Sequence, residues 1–155
     1  MQIILWRHAD AEDNITDDLA RALTPKGLRQ ADKMAAWLRA QLGETLPGFR
    51  VIASPALRAV ETARALGVKF DIDHAIAPEA TVGAVLGAAG WPRADENIII
   101  VGHQPTLGMV AARLLNGVDG YVSVRKCAVW WFATRERDGK IQAVMKAVTE
   151  VESLA

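Results

Sequence analysis

Two arginines and two histidines stand where short apolar stretches of the chain end. Arg7 and His8 directly follow QIILW. Arg58 lies in the segment SPALR, behind a second apolar stretch, and His103 follows NIIIVG. Arginines can clamp phosphate oxygens with paired hydrogen bonds, and an imidazole can attack phosphorus to form a phospho-imidazole that water cleaves. If the four side chains meet, they predict phosphoryl transfer through a covalent histidine, with the second imidazole, when cationic, stabilising charge on the equatorial oxygens.

Three short strands must bring these four residues together. Residues 2–7, 49–54 and 97–102 are apolar runs rich in β-branched side chains, which is typical of strands buried in a parallel sheet. The carboxyl ends of parallel strands lie on one edge of the sheet, where ligands bind in α/β proteins. We therefore expect the two arginines and two histidines to converge at that edge. The spacing does not decide which imidazole attacks.

Helical periodicity separates the predicted strands. It is found in the segments 24–42, 54–66, 81–89 and 105–116. Thr24 is a favourable cap and Pro25 suits the first helical position of the first segment. Ser54 and Pro55 predict the same arrangement for the second. Helices that begin at Pro55 and near Pro105 would also direct free N–H groups toward an anion at the sheet edge.

The last third of the chain predicts a hairpin. Residues 128–148 contain two strand-like runs joined at Asp138-Gly139, a favoured turn pair, whereas residues 70–76 form only a weak strand or a connection. Strand and helix alternate up to residue 117, which predicts βα units in a mostly parallel sheet. We expect an α/β fold: a single-domain, three-layer α/β/α sandwich over residues 1–155, with an antiparallel edge supplied by the C-terminal hairpin.

Composition excludes several classes of protein. The chain has 18 basic and 18 acidic residues, so no net charge favours nucleic acid or an acidic membrane surface. Cys127 is the only cysteine, which excludes an internal disulfide and a multi-cysteine zinc site. Neither a signal peptide nor an apolar run long enough to span a bilayer is visible. We expect a cytoplasmic protein with no nucleic-acid or membrane partner.

Four segments together resemble the histidine phosphatase superfamily, and more narrowly the small SixA-type phosphohistidine phosphatases. They are LWRHADAE, LTPKGLRQA, SPALRAVETA and VGHQPTLG, which cover residue 2 to about residue 115 in this order. The resemblance implies that His8 is the phosphorylated nucleophile, that Arg7 and Arg58 bind the phosphate, and that His103 completes the pocket. No metal and no other cofactor is predicted, because arginines and an imidazolium can carry the charge. Ala9 replaces the glycine of many relatives, as it does in SixA-like members.

The resemblance also suggests roles for two residues outside those positions. Arg21 is similar to an arginine that precedes the LT..G segment of SixA-like proteins, and would bind substrate at the pocket rim. Glu79, in APEAT, is similar to the acidic position after the third strand of relatives, and would be the general acid that protonates the leaving oxygen. A phosphohistidine substrate depends less on such an acid, because an imidazole leaves readily once its ring is protonated.

The predicted function is metal-independent dephosphorylation through phospho-His8, acting on phosphohistidine of a signalling protein such as a histidine-containing phosphotransfer domain. The chain has no large insertion that would form a lid, which favours a protein substrate or a small, loosely selected one. A small-molecule phosphomonoesterase and a non-catalytic module that reads phosphorylated partners are the alternatives.

The acidic segment after His8 allows one more alternative, metal-assisted hydrolysis with His8 and His103. Its acidic residues lack the close spacing of metal ligands, so a solvated loop is the simpler interpretation. They are Asp10, Glu12, Asp13, Asp17 and Asp18.

Overall fold

A mixed sheet runs through the centre of the computed structural model, which describes residues 1–13 and 16–155. Within those residues it has six strands: β1 (Gln2–Arg7), β2 (Phe49–Ala53), β3 (Asp71–Ile72), β4 (Asn97–Gly102), β5 (Val129–Arg137) and β6 (Lys140–Thr149). Their order is β3-β2-β4-β1-β5-β6. The first four are parallel to one another, whereas β5 is antiparallel to β1 and β6. The predicted parallel sheet with an antiparallel C-terminal hairpin is confirmed.

Helices cover both faces of the sheet. They are α1 (Pro25–Leu42), α2 (Leu57–Arg64), α3 (Val82–Ala89) and α4 (Thr106–Asn116). Successive residues of a strand point to opposite faces, so β1 sends Ile4 and Trp6 into the core that α1 and α2 cover. Ile3 and Leu5 enter the opposite core, under α3 and α4. This alternation produces the predicted three layers.

The start of α1 fixes the loop that follows β1. Thr24 caps the helix by accepting a hydrogen bond from Gly27, with Pro25 in the first turn, as predicted. The Thr24 hydroxyl also donates to an Asp10 carboxylate oxygen at 2.7 Å. A Cβ on Gly27 would lie 2.0 Å from the Asp10 carbonyl oxygen, so only glycine allows this approach. The chain two residues beyond His8 is therefore held against α1.

The start of α2 differs from the prediction. The helix begins at Leu57, and Ser54 does not cap it. The fully buried Ser54 hydroxyl instead lies 2.7 Å from a ring nitrogen of His103 and accepts a hydrogen bond from the Ala56 N–H. The buried hydroxyl of Ser54 thus pairs with the imidazole that follows the neighbouring strand β4, and not with the start of α2.

The hairpin between β5 and β6 turns at Asp138 and Gly139, both of which have positive φ, as the favoured two-residue turn requires. In the part of the chain that the structure describes, no helix is both long and apolar enough to cross a membrane.

Candidate active site

A cavity of about 500 Å³ opens where the carboxyl ends of β1, β2 and β4 meet. It is lined by all six residues that the sequence singled out: Arg7, His8, Arg21, Arg58, Glu79 and His103. Strand register explains the centre of this group. Arg7 of β1 pairs with Gly102 of β4, so the residues that follow them, His8 and His103, emerge side by side with ring centroids 5.2 Å apart.

His8 exposes one ring nitrogen for chemistry. Its Nδ1 lies 2.7 Å from the Ala9 carbonyl oxygen, and because a carbonyl only accepts, Nδ1 carries the proton and Nε2 keeps its lone pair. Burial, and then the positive surroundings that include Arg58 and Arg7, lower the pKa of His8 to about 3. The imidazole is therefore neutral at neutral pH, and Nε2 can act as a nucleophile.

His103 has the complementary arrangement. Its Nε2 lies 2.7 Å from the Ser54 Oγ, and the Ser54 hydroxyl proton has no other acceptor in the described residues. A buried hydroxyl requires an acceptor, so Ser54 donates to Nε2 and the His103 proton resides on Nδ1. Burial and the nearby Arg58 lower the pKa of His103 to about 4. His103 thus presents a neutral N–H donor, and not the cationic imidazole considered from the sequence.

The two arginines are anchored but retain free donors. Arg7 donates from Nη1 to the Val124 carbonyl oxygen at 2.9 Å. Arg58 donates from Nη1 to the Asp18 carbonyl oxygen at 2.7 Å and from Nη2 to the Asp18 carboxylate at 3.2 Å. The Nε atoms of both arginines are buried and have no hydrogen-bond partner among the described residues.

Three buried nitrogens without a hydrogen-bond partner among the described residues belong to side chains that line one cavity: Nε of Arg7, Nε of Arg58 and Nδ1 of His103. An unpaired buried donor costs about 1–3 kcal/mol. A phosphate group carries several acceptor oxygens, which the guanidinium and imidazole N–H groups of such side chains can bind. The donor set therefore fits a phosphate group that a histidine attacks.

Thr62 connects the loop after β1 with helix α2. Its hydroxyl donates to the Arg58 carbonyl oxygen at 2.7 Å and accepts from the Ala9 N–H at 3.1 Å. The loop that begins at His8 is thereby tied to the helix that carries Arg58. His8 and Arg58 are held in fixed relative positions although 50 residues separate them in the chain.

Arg21 and Glu79 lie on the same cavity. Arg21 reaches the rim, where it donates to the carboxylates of Asp18 at 3.2 Å and Asp13 at 3.1 Å. Glu79 has a φ of 69°, in the left-handed region that non-glycine residues rarely adopt. Such strained positions concentrate at functional sites, which makes Glu79 a reasonable candidate for chemistry. Their roles in binding and acid catalysis stay predictions.

A family model for the histidine phosphatase superfamily (branch 1) matches residues 3–81, which include Arg7, His8 and Arg58. The chain belongs to the histidine phosphatase superfamily. His103 lies outside the matched segment and reaches the site through β4.

Relatives place this histidine phosphatase near SixA. The phosphohistidine phosphatase SixA of Escherichia coli is 30% identical over 125 residues, which are 76% of each chain. A solved structure of the protein histidine phosphatase SixA complexed with tungstate superposes with a TM-score of 0.80 at 25% identity, covering 97% of both chains. A phosphoserine phosphatase from Entamoeba histolytica shares the fold, with a TM-score of 0.71 at 14% identity over 97% of this chain and 98% of that one.

Sequence reasoning assigned no contact to two acidic residues near this histidine phosphatase's cavity: Asp18, which lines it, and Asp10, which contacts the lining residue Lys126. The exposure of Asp13, Asp17 and Asp18 agrees with the predicted solvated loop, and Asp18 in addition contacts both Arg58 and Arg21. Asp10 is partly buried and binds Lys126, whose Nζ donates to it at 2.8 Å. The contacts of Asp18 with Arg58 and of Asp10 with Lys126 could not be predicted because they cross 40 and 116 residues of chain, which no local spacing encodes.

Among residues 1–13 and 16–155, no group of three or more histidine, cysteine, aspartate or glutamate side chains is arranged to hold a metal ion.

Proposed function

We propose that this histidine phosphatase removes phosphoryl groups from phosphohistidine on a signalling protein, such as a histidine-containing phosphotransfer domain. The observation that carries the proposal is the convergence of Arg7, Arg58 and His103 with His8, whose Nε2 keeps its lone pair, on one cavity. The similarity to SixA of Escherichia coli, a phosphohistidine phosphatase, supports the choice of substrate.

The first step transfers the phosphoryl group to His8. Arg7, Arg58 and His103 bind the phosphate oxygens, and Nε2 of His8 attacks phosphorus from the buried floor of the cavity. A bond forms between Nε2 and phosphorus while the phosphorus–nitrogen bond of the substrate breaks, and the electron pair of that bond stays on the departing imidazole nitrogen. The fixed donors stabilise the equatorial oxygens without reorganising, which is the main source of rate enhancement at such sites.

The second step regenerates the enzyme. Water attacks the phosphorus of phospho-His8, the bond from phosphorus to Nε2 breaks, and its electron pair returns to Nε2. Inorganic phosphate leaves with the oxygen and protons of the water. Arg21 would hold the substrate phosphate from the rim during both steps.

A protein substrate fits the surroundings of the cavity. Leu19, next to Asp18, is 49% exposed, and Tyr121, which accepts a hydrogen bond from the cavity residue Gln104, is 57% exposed. Both side chains are available to contact a protein substrate, and tyrosine is enriched at protein interfaces.

The presence of Glu79 on the cavity favours a second candidate, a phosphatase of small phosphate monoesters. An alkoxide leaves poorly without a proton, so a monoesterase needs an acid that a phosphohistidine phosphatase can dispense with. Glu79→Gln should therefore reduce turnover of alkyl phosphates and spare phosphohistidine if the acid serves only poor leaving groups.

Turnover measured with excess chelator tests the proposal directly. The substrates are a phosphorylated phosphotransfer protein and para-nitrophenyl phosphate, and the variants are His8→Ala and, as a matched control, His74→Ala, an exposed histidine outside the cavity. We expect much higher kcat/KM on the protein, lost only in His8→Ala. Efficient turnover of the aryl ester alone would identify a small-molecule phosphatase, and binding without turnover would identify a reader. Loss of activity with chelator would support metal-assisted hydrolysis.

A cytoplasmic location stays a sequence-based prediction that cell fractionation would test.

A further inference from the structure

The carboxylate of Asp18 bridges two arginines of the cavity. Its Oδ1 accepts from Nη1 of Arg21 and its Oδ2 accepts from Nη2 of Arg58, each at 3.2 Å. A third contact, from Nη1 of Arg58 to the Asp18 carbonyl oxygen at 2.7 Å, fixes the backbone as well. Asp18 is therefore held at a defined place beside the proposed phosphate site.

Asp18 lies at the open side of the cavity. Its side chain is 58% exposed, whereas that of Arg58 is 5% exposed and His8 and His103 are buried. In an in-line displacement the leaving group departs opposite the attacking nitrogen. Because His8 attacks from the buried floor, the leaving group departs toward the exposed rim, where Asp18 stands.

We propose that Asp18 makes the enzyme selective for substrates whose leaving group carries positive charge, as the protonated ring of phosphohistidine does. The inference rests on the proposed function and extends it from the phosphate to the leaving group. In phosphohistidine one ring nitrogen bonds phosphorus and the other can take a proton. If the ring is protonated, cleavage of the phosphorus–nitrogen bond releases neutral imidazole; if it is not, the product is an imidazolate anion, a much poorer leaving group.

A carboxylate at the rim acts in opposite directions on the two classes of substrate. It accepts a hydrogen bond from the protonated ring and stabilises the form that departs readily. The same carboxylate repels the negative charge that develops on a departing phenolate or alkoxide. Asp18 therefore favours phosphoramidates of imidazole over phosphate esters.

Asp18 stays ionised, which distinguishes its role from that of a general acid. Its partial burial raises its pKa, but hydrogen bonds from Arg21 and Arg58 outweigh this and hold the pKa below its ordinary value. A carboxylate that is ionised at neutral pH cannot donate a proton. Proton donation, where an ester requires it, is left to Glu79.

Asp18 also competes with phosphate for Arg58, and the readout must separate this effect from selectivity. Competition weakens the binding of every phosphate substrate alike, so it cancels in a ratio of kcat/KM values for two substrates. It is measured separately by inhibition with inorganic phosphate, which should become tighter when Asp18 loses its charge.

The experiment compares phosphoimidazole with para-nitrophenyl phosphate in the wild type and in Asp18→Asn. We expect the ratio of kcat/KM for phosphoimidazole to that for the aryl ester to fall by about two- to fivefold, the scale of one partly exposed charge interaction. Asp18→Glu keeps the charge and should recover part of the ratio. Asp119→Asn removes an exposed carboxylate that pairs with Arg113 near the far end of α4, and should leave the ratio unchanged.

Two results would overturn the inference. Both leave the ratio of kcat/KM values unchanged in Asp18→Asn. An equal loss on both substrates would mean that Asp18 only positions Arg58, and no loss on either substrate would mean that Asp18 does not act in catalysis. Failure of the proposed function is distinguishable, because the wild type would then turn over neither substrate or His8→Ala would remain active. A thermal melt of each variant confirms that the compared proteins are folded.

Discussion

His8 and His103 line one cavity with their ring centroids 5.2 Å apart and their ring planes tilted by 55°. The ring nitrogens that their neighbours leave free have opposite hydrogen-bonding character. The Ala9 carbonyl holds the proton of His8 on Nδ1 and leaves Nε2 with a lone pair. Ser54 donates to Nε2 of His103 and leaves an N–H at Nδ1. One imidazole can attack while the other donates, so two residues of the same type are given different tasks by their neighbours.

Ser54→Ala tests this division of tasks. Removing the hydroxyl leaves Nε2 of His103 without its donor, so the tautomer with the proton on Nδ1 is no longer enforced. We expect kcat to fall by about tenfold or more with a smaller change in KM, since an oriented donor matters most in the transition state. Nitrogen NMR of the ring should show the proton moving from Nδ1. Ser153→Ala, near the C-terminus, is the control, and an unchanged His103 spectrum in Ser54→Ala would refute the assignment.

Arg58→Ala should remove preorganised charge from the phosphate. We expect kcat/KM to fall by about 10²–10³, with kcat carrying much of the loss. Arg58→Lys should not restore the wild-type rate, because an ammonium lacks the planar pair of donors. Arg64→Ala, an exposed arginine on the same helix, serves as the matched control. An effect on KM alone would show that Arg58 binds only the ground state.

The buried histidines should make stability depend on pH. His8 and His103 have pKa values lowered from 6.5 to about 3 and about 4, so between these values and 6.5 the unfolded chain binds more protons than the folded one. The stability that the two neutral histidines contribute is thus fully present above pH 6.5, and it is lost as the pH drops toward 4. Denaturant unfolding over this window should show a loss of about 3 kcal/mol or more. His8→Asn and His103→Asn should each reduce the slope of unfolding free energy against pH. A variant whose curve runs parallel to that of the wild type would contradict the lowered pKa of the histidine it replaces.

Gly27→Ala should disturb the loop beyond His8. The added methyl would lie 2.0 Å from the Asp10 carbonyl oxygen, so the loop or the start of α1 must move. We expect the free energy of unfolding to fall by about 1–3 kcal/mol and kcat/KM to fall with it. Gly87→Ala, in α3 where a Cβ meets no atom within 4 Å, should instead stabilise the protein by about 0.5–1 kcal/mol. Equal effects of the two substitutions would exclude a steric origin.

The sequence by itself determined the parts of this protein that local patterns encode. Apolar runs set β1, β2 and β4, the pair Thr24 and Pro25 set the start of α1, and Asp138-Gly139 set the final turn. Alternation of strand and helix then required a parallel sheet, and the geometry of such sheets brings their carboxyl ends to one edge. That is why Arg7, His8, Arg58 and His103 could be predicted to line one cavity.

Tertiary structure decided how those residues are used. The path of the loop after β1 places Asp18 on Arg58, and the packing at the end of β2 turns Ser54 from a predicted helix cap into the partner of His103. These contacts depend on strand register and loop path, which hydrophobic periodicity does not specify. The physical reason is that hydrogen bonds between residues distant in the chain, and not residue type, determine which imidazole nitrogen is free. Such contacts also place the carboxylate of Asp18, on which the proposed preference for a leaving group depends.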